Sequence, residues 1–148
     1  MDNRTEKRRI GDFGENLAGD WLKKQGFKIL DRNYWTKFGE IDIVGKKDGQ
    51  IIFFEVKTVT RATFRDKFPY NDLWPDGVSC ESKEMEDDYE PEDNIHPWKL
   101  KRLARTMEIY LSDKNIDDDD VDWQLDILAV YVDQEGKLLK IDRLEDVF

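Results

Sequence analysis

The chain is poor in cysteine, in long apolar runs and in net positive charge, and each shortage excludes something. Its 148 residues include one cysteine, Cys80, so no internal disulfide can form. A single thiol fits a reducing compartment rather than a disulfide-stapled secreted scaffold. Cys80 lies in a polar, acidic stretch, which favours a plain free thiol over a nucleophile. No run of about 18 apolar residues is present, so no membrane-spanning helix is expected. The N-terminal MDNRTEKRRIG is basic but lacks the apolar core of a signal peptide. A cytoplasmic protein without membrane association is the expectation. Internal repeats and a second domain are also absent.

The net charge is −10, which at first argues against a nucleic-acid partner. Its distribution changes the picture. Residues 76–94 hold nine acids and one base, Lys83. Setting that segment aside takes the chain from −10 to −2, and removing the five acids Asp117–Asp120 and Asp122 takes it to +3. The body is mildly basic and carries two acidic segments. The Asp117–Asp120 run lacks the glycine and the distant glutamate of a calcium loop. With 39% hydrophobic residues, five tryptophans and eight phenylalanines, the chain can build a real core. A single domain over 1–148 is expected, with an acidic, partly flexible insertion at about 62–95.

The most informative stretch is Gly39 to Thr58, GEIDIVGKKDGQIIFFEVKT. Asp48-Gly49 between apolar runs predicts a two-residue hairpin turn, since both central residues of a type I′ turn need φ > 0. That loop sets Asp42 opposite Glu55, Glu40 opposite Lys57 and Val44 opposite Phe53. Alternation of side chains then puts Ile41, Ile43, Ile52, Phe54 and Val56 on one apolar face. The other face carries Glu40, Asp42, Glu55 and Lys57, with Val44, Ile51 and Phe53 nearer the turn. Directly opposed side chains have Cβ atoms about 4.5–5.5 Å apart. Two acids held so close repel unless one protonates or a cation lies between them. Mg²⁺ or Mn²⁺ would resolve the conflict. Lys57 shares the face and could orient a water or neutralise charge on a phosphate. The plainer alternative is a ladder of ion pairs on a solvated face.

Around the hairpin, Ile10 to Gln25 predicts an amphipathic helix ended by Gly26, preceded by a frayed basic arm over 1–9. Its apolar stripe is Ile10, Phe13, Leu17, Ala18, Trp21 and Leu22. Glu15 borders that stripe in a row with Gly11 and Ala18, where an acid can approach the sheet. Phe27 to Tyr34 is a candidate strand. Pro97 to Asp113 predicts a second helix with Pro97 in its first position. Leu100, Leu103, Ala104, Met107, Tyr110 and Leu111 face inward, and Lys99, Lys101, Arg102 and Arg105 make the other side basic. Such a basic side is ordinarily solvated. It gains meaning only if it borders the acidic end of the hairpin. Asp122 to Val132 predicts an inner strand in which Asp126 is the oddity. Leu138 to Ile141 predicts a last strand, with Leu144 to Phe148 as a short cap.

This order of elements, with these residues, resembles the PD-(D/E)XK nuclease fold. More narrowly it is similar to the YraN-like family, related to Holliday-junction resolvases, through residues 11–34, 39–58, 94–111 and LDILAV at 125–130. The resemblance implies an α/β, restriction-endonuclease-like three-layer fold with a mixed sheet and core order α-β-β-β-α-β. It implies Asp42 and Glu55 as metal ligands with the Val56 carbonyl, Lys57 as the catalytic lysine, and Glu15 as a third acid. Lys99 matches a family lysine read as phosphate-facing, and Asp126 matches an acid with a supporting role. Glu40 stands behind the ligands, while Arg61 and Arg102 join Lys99 as candidate DNA contacts. Val59 and Gln124 stand where family members often carry a base, and residues 76–94 look inserted. All three departures lower positive charge near the presumed DNA surface.

The leading expectation is a Mg²⁺- or Mn²⁺-dependent DNA endonuclease, with branched or structured DNA as candidate substrate. The alternative is a catalytically silent DNA-binding or protein-interaction domain of the same fold. In that case residues 76–94 would dock on a basic protein partner. A homodimer is expected from the resemblance alone.

Overall fold

A computed structural model describes residues 3–60, 97–116 and 122–147. Arg61, Cys80, the acidic insertion and the Asp117–Asp120 run fall outside them. The elements are α1 (Asn3–Lys24), β1 (Lys28–Thr36), β2 (Gly39–Lys47), β3 (Gln50–Thr60), α2 (Pro97–Asp113), β4 (Trp123–Val132) and β5 (Leu138–Leu144). The strands form one sheet in sequence order, parallel between β3 and β4 and antiparallel elsewhere.

The sheet is sandwiched because its two faces bury different helices. Alternate strand residues Ile43, Ile52, Phe54, Leu128, Val130 and Val132 pack with Ala18 and Leu22 of α1. The intervening Val44, Ile51, Phe53 and Leu125 pack with Leu103, Met107, Tyr110 and Leu111 of α2. Complete burial of a side chain such as Phe53 or Phe54 contributes roughly 1.5–3 kcal/mol. The result is the restriction-endonuclease-like three-layer fold. No described helix is long and apolar enough to cross a membrane.

Local signals explain the boundaries. Helix α1 stops at Gly26, φ +92°, where the Phe27 and Gly26 amides donate to Leu22 and Lys23 carbonyls at 3.0 and 3.1 Å. The hairpin turns at Asp48 (φ 53°) and Gly49 (φ 76°), and its register is the expected one from Lys47↔Gln50 to Ile43↔Phe54.

Three expectations are corrected. The N-terminal arm is helical from Asn3, because the polar run 3–9 continues α1 instead of fraying. Ile10 and Phe13, read as buried, are 39% and 43% exposed, since the N-terminal part of α1 overhangs the sheet. Ile41, assigned to the face with Ile43, is buried on the α2 side. The β2–β3 ladder ends at Ile43↔Phe54, although β2 stays paired with β1 through Ile41 to Gly39.

Candidate active site

The break in the ladder makes the site. Continued pairing would bring Ile41 opposite Val56. Instead the Val56 amide donates to Asp42 Oδ2 at 2.7 Å, so an acidic side chain takes the place of a backbone acceptor. The strands part here and open a cleft of about 320 Å³ lined by Glu40, Asp42, Glu55, Trp98, Lys99 and Arg102 among others. Helix α2 closes it from the far side.

Glu55 is buried, and its Oε1 receives Lys99 Nζ at 3.0 Å and Lys57 Nζ at 3.4 Å. Three of the residues singled out in the sequence therefore meet around one oxygen, and Asp42 lines the same cleft. Glu15 arrives from α1. The helix can come close because Gly14 lies flat on β3, where an added Cβ would be 2.9 Å from Thr58 Cβ. The Glu15 carboxyl lies within hydrogen-bonding reach of Asp42 and 3.9 Å from the Arg32 guanidinium. Asn33, with its amide nitrogen turned toward both, donates to Glu15 Oε2 and Glu40 Oε1 at 2.9 Å. Glu40 lines both this cleft and a neighbouring one of about 810 Å³ between α1 and β1.

Crowding so many carboxyls shifts their protons. Burial, then the charges of Glu55, Glu15 and Glu40, push Asp42 up to about 8 against the opposing pull of the Val56 amide. Burial likewise raises Glu15, with Glu40 and Asp12 adding to it while Asp42 and Arg32 oppose. Lys57 is lowered, by burial first and by the neighbouring Lys99, although Glu55 pulls the other way. Burial works against the Lys99 ammonium too, yet Glu55 outweighs it and the net shift is upward. The two lysines thus differ. One is eased toward its neutral amine and the other is held as a cation.

A hard divalent cation suits this donor set. Mg²⁺ keeps several waters and takes one or two carboxylates plus substrate phosphate rather than a full protein cage. Asp42 and Glu55 can supply such a pair. Among the described residues no three carboxylate, imidazole or thiolate groups already stand as a ready-made cage.

Two of the expected residues also hold the scaffold together. Asp126 is fully buried and accepts Arg143 Nε at 2.7 Å, Gln124 Nε2 at 2.7 Å and the Asp146 amide at 2.9 Å. It ties β4 to β5 and the C-terminal segment. Arg102 stays at the mouth of the cleft, but its Nε donates to the Phe38 carbonyl at 2.8 Å, pinning the β1–β2 turn to α2. Sequence reasoning missed Gly14, Asn33 and Arg143. Only Gly14 left a signal, as a glycine inside a helix, where it costs about 1 kcal/mol relative to alanine.

A model described as uncharacterised protein family UPF0102 matches residues 14–130, a span that holds Glu15, Asp42, Glu55, Lys57 and Lys99. The chain belongs to the UPF0102 family. A UPF0102 protein of Caldicellulosiruptor bescii is 30% identical over 141 residues, covering 95% of this chain and 98% of the relative. One from Flavobacterium psychrophilum is 29% identical over 144 residues, 97% of each chain. One from Campylobacter jejuni strain RM1221 is 35% identical over 120 residues, 81% of each. This UPF0102 chain therefore shares nearly its full length with relatives of similar size. The family is the YraN family that the sequence resembled.

Proposed function

We propose that this UPF0102 protein hydrolyses phosphodiester bonds in DNA with Mg²⁺ or Mn²⁺, held by Asp42 and Glu55 with the Val56 main chain. The observation that supports this reading most is Asp42 itself, a half-buried carboxyl surrounded by Glu55, Glu15 and Glu40 and pushed up to about 8. A site selected only for stability gains nothing from packing four acids together, whereas a bound cation relieves the repulsion. When bound, such an ion supplies Lewis-acid stabilisation of the charge that builds on phosphorus oxygens.

The side chains supply the rest. Lys57, eased toward its neutral form, can accept a proton from an attacking water and return it to a leaving oxygen. Lys99, held as a cation, binds a phosphate oxygen and steadies Glu55. Glu15 and Asn33 hold Asp42 and Glu40 in place from behind. The exposed bases Lys101, Arg102 and Arg105 on α2 give the sugar–phosphate backbone a surface to follow.

The test is cleavage of labelled nicked, branched and single-stranded DNA by the purified chain with Mg²⁺, Mn²⁺ or EDTA. Cleavage that needs the ion and falls at least a hundredfold in Asp42→Ala and Lys57→Ala is expected, in line with the loss of a general base or ligand. A wild type that cuts none of these substrates with either ion sinks the enzyme reading.

One observation favours the second reading, a silent domain of the same fold: Glu55 Oε1 is already engaged by two ammonium groups. Tight DNA binding that ignores metal, without turnover, would establish it.

A further inference from the structure

The cleft has an aromatic mouth that hydrolysis by itself does not require. Trp98, in the first turn of α2, is 59% exposed although it lines the cleft with Asp42 and Glu55. Phe38 lines the cleft from the β1–β2 turn. Exposing an indole is costly for a solvated surface, and large exposed aromatics mark a contact site when they cluster.

Cations lie against these rings. The Arg102 guanidinium is 5.9 Å from the Trp98 ring centre, Arg105 is 4.9 Å from that of Phe38, and the Lys37 ammonium is 5.1 Å from it. Arg102 also bonds the Phe38 carbonyl, and the Thr36 and Thr106 hydroxyls meet at 3.0 Å. The turn and the helix therefore present their rings as one rigid unit. A flat aromatic surface edged with positive charge matches a nucleobase with its phosphate better than a paired helix whose bases are already stacked.

We propose that Trp98, with Phe38, is a stacking platform for unpaired nucleotides, so that the substrate of the adjoining site is DNA with single-stranded or unstacked positions next to the cut phosphate. The inference rests on the nuclease reading for its substrate but not for its binding. Trp98 carries the first base, Arg102 and Arg105 balance the flanking phosphates, and the strand runs from the platform toward Asp42 and Glu55.

Binding in EDTA separates the two claims. Fluorescence anisotropy would compare a labelled short oligothymidylate, a gapped duplex and a blunt duplex of equal length. Wild type should bind the first two roughly tenfold more tightly than the duplex, because stacking one base on an aromatic ring is worth about that factor or more. Trp98→Ala should lose that preference, Trp98→Phe should retain most of it, and duplex affinity should not change. Quenching of tryptophan fluorescence by oligothymidylate in wild type, reduced in Trp98→Phe, gives a second readout. Equal affinity for duplex and single strand, an equal loss on both in Trp98→Ala, or no DNA binding at all overturns the platform. Strand-selective binding without cleavage in Mn²⁺ would overturn the nuclease reading and leave the platform standing. Cleavage without strand selectivity does the reverse.

Discussion

Replacing Asp42 by asparagine should make the metal-free protein more stable, although Asp42 is the residue most central to the proposed chemistry. Asparagine has nearly the same shape, and its Oδ1 can still accept the Val56 amide now held at 2.7 Å. What disappears is a carboxyl pushed from its ordinary 3.8 to about 8 by burial and by Glu55, Glu15 and Glu40. The sign follows from proton linkage. Between those two values the folded chain holds a proton that the unfolded chain releases. The stabilising contribution of protonated Asp42 is therefore fully present below about pH 4 and is lost as pH rises to about 8. A tenfold change in proton affinity is worth about 1.4 kcal/mol, so the penalty at pH 7 is at most roughly 4 kcal/mol. Glu15, which shares the repulsion, takes up part of the difference, and a gain of about 2 kcal/mol is expected for Asp42→Asn. For a chain of this size that is roughly 6 °C in Tm. Urea or thermal unfolding in EDTA from about pH 5 to 8.5 measures it, and the advantage of the variant should widen as pH rises. Mn²⁺ should then stabilise the wild type far more than Asp42→Asn, by about 2.7 kcal/mol at a hundredfold excess over Kd. A difference between the two proteins that does not vary with pH, or a variant less stable at pH 8, would refute the account of crowded carboxyls.

Two further outcomes test the scaffold. Asp126→Ala should destabilise by about 3–5 kcal/mol, because it strands the half-buried Arg143 guanidinium and the Asp146 amide that now bond Asp126; an unfolding free energy within about 1 kcal/mol of wild type would refute that supporting role. Gly14→Ala should destabilise by roughly 1–3 kcal/mol through its clash with Thr58, against the gain of up to about 1 kcal/mol that alanine normally brings to a helix; a rise in Tm would show that α1 does not approach β3 as described.

The hairpin was readable because its signals are local. Asp48-Gly49 fixes the turn, the turn fixes the register, and the register brings Asp42 and Glu55 to the same end. The two helices and the inner strand were readable from apolar spacing, and Gly26 and Pro97 marked a helix end and a helix start. Alternation failed at Ile41, which stays paired with β1 where the ladder with β3 has already ended, and nothing in the residue order says where that ladder stops. The supporting role of Asp126 was expected, but its partner Arg143, 17 residues later, was not readable.

By itself the sequence determined which side chains would carry charge, which spans would be helix or strand, and that two acids and a lysine would share one end of a hairpin. These depend on spacings of a few residues, and backbone geometry alone sets them. The tertiary structure decided that the strands part after Ile43, that Lys99 reaches Glu55 from α2, that Glu15 arrives over a bare Gly14, and that Trp98 and Phe38 frame the entrance. Those outcomes join positions up to 60 residues apart, as Phe38 and Trp98 are. Only the packing of helices onto both faces of the sheet brings such positions together, and no local rule encodes it.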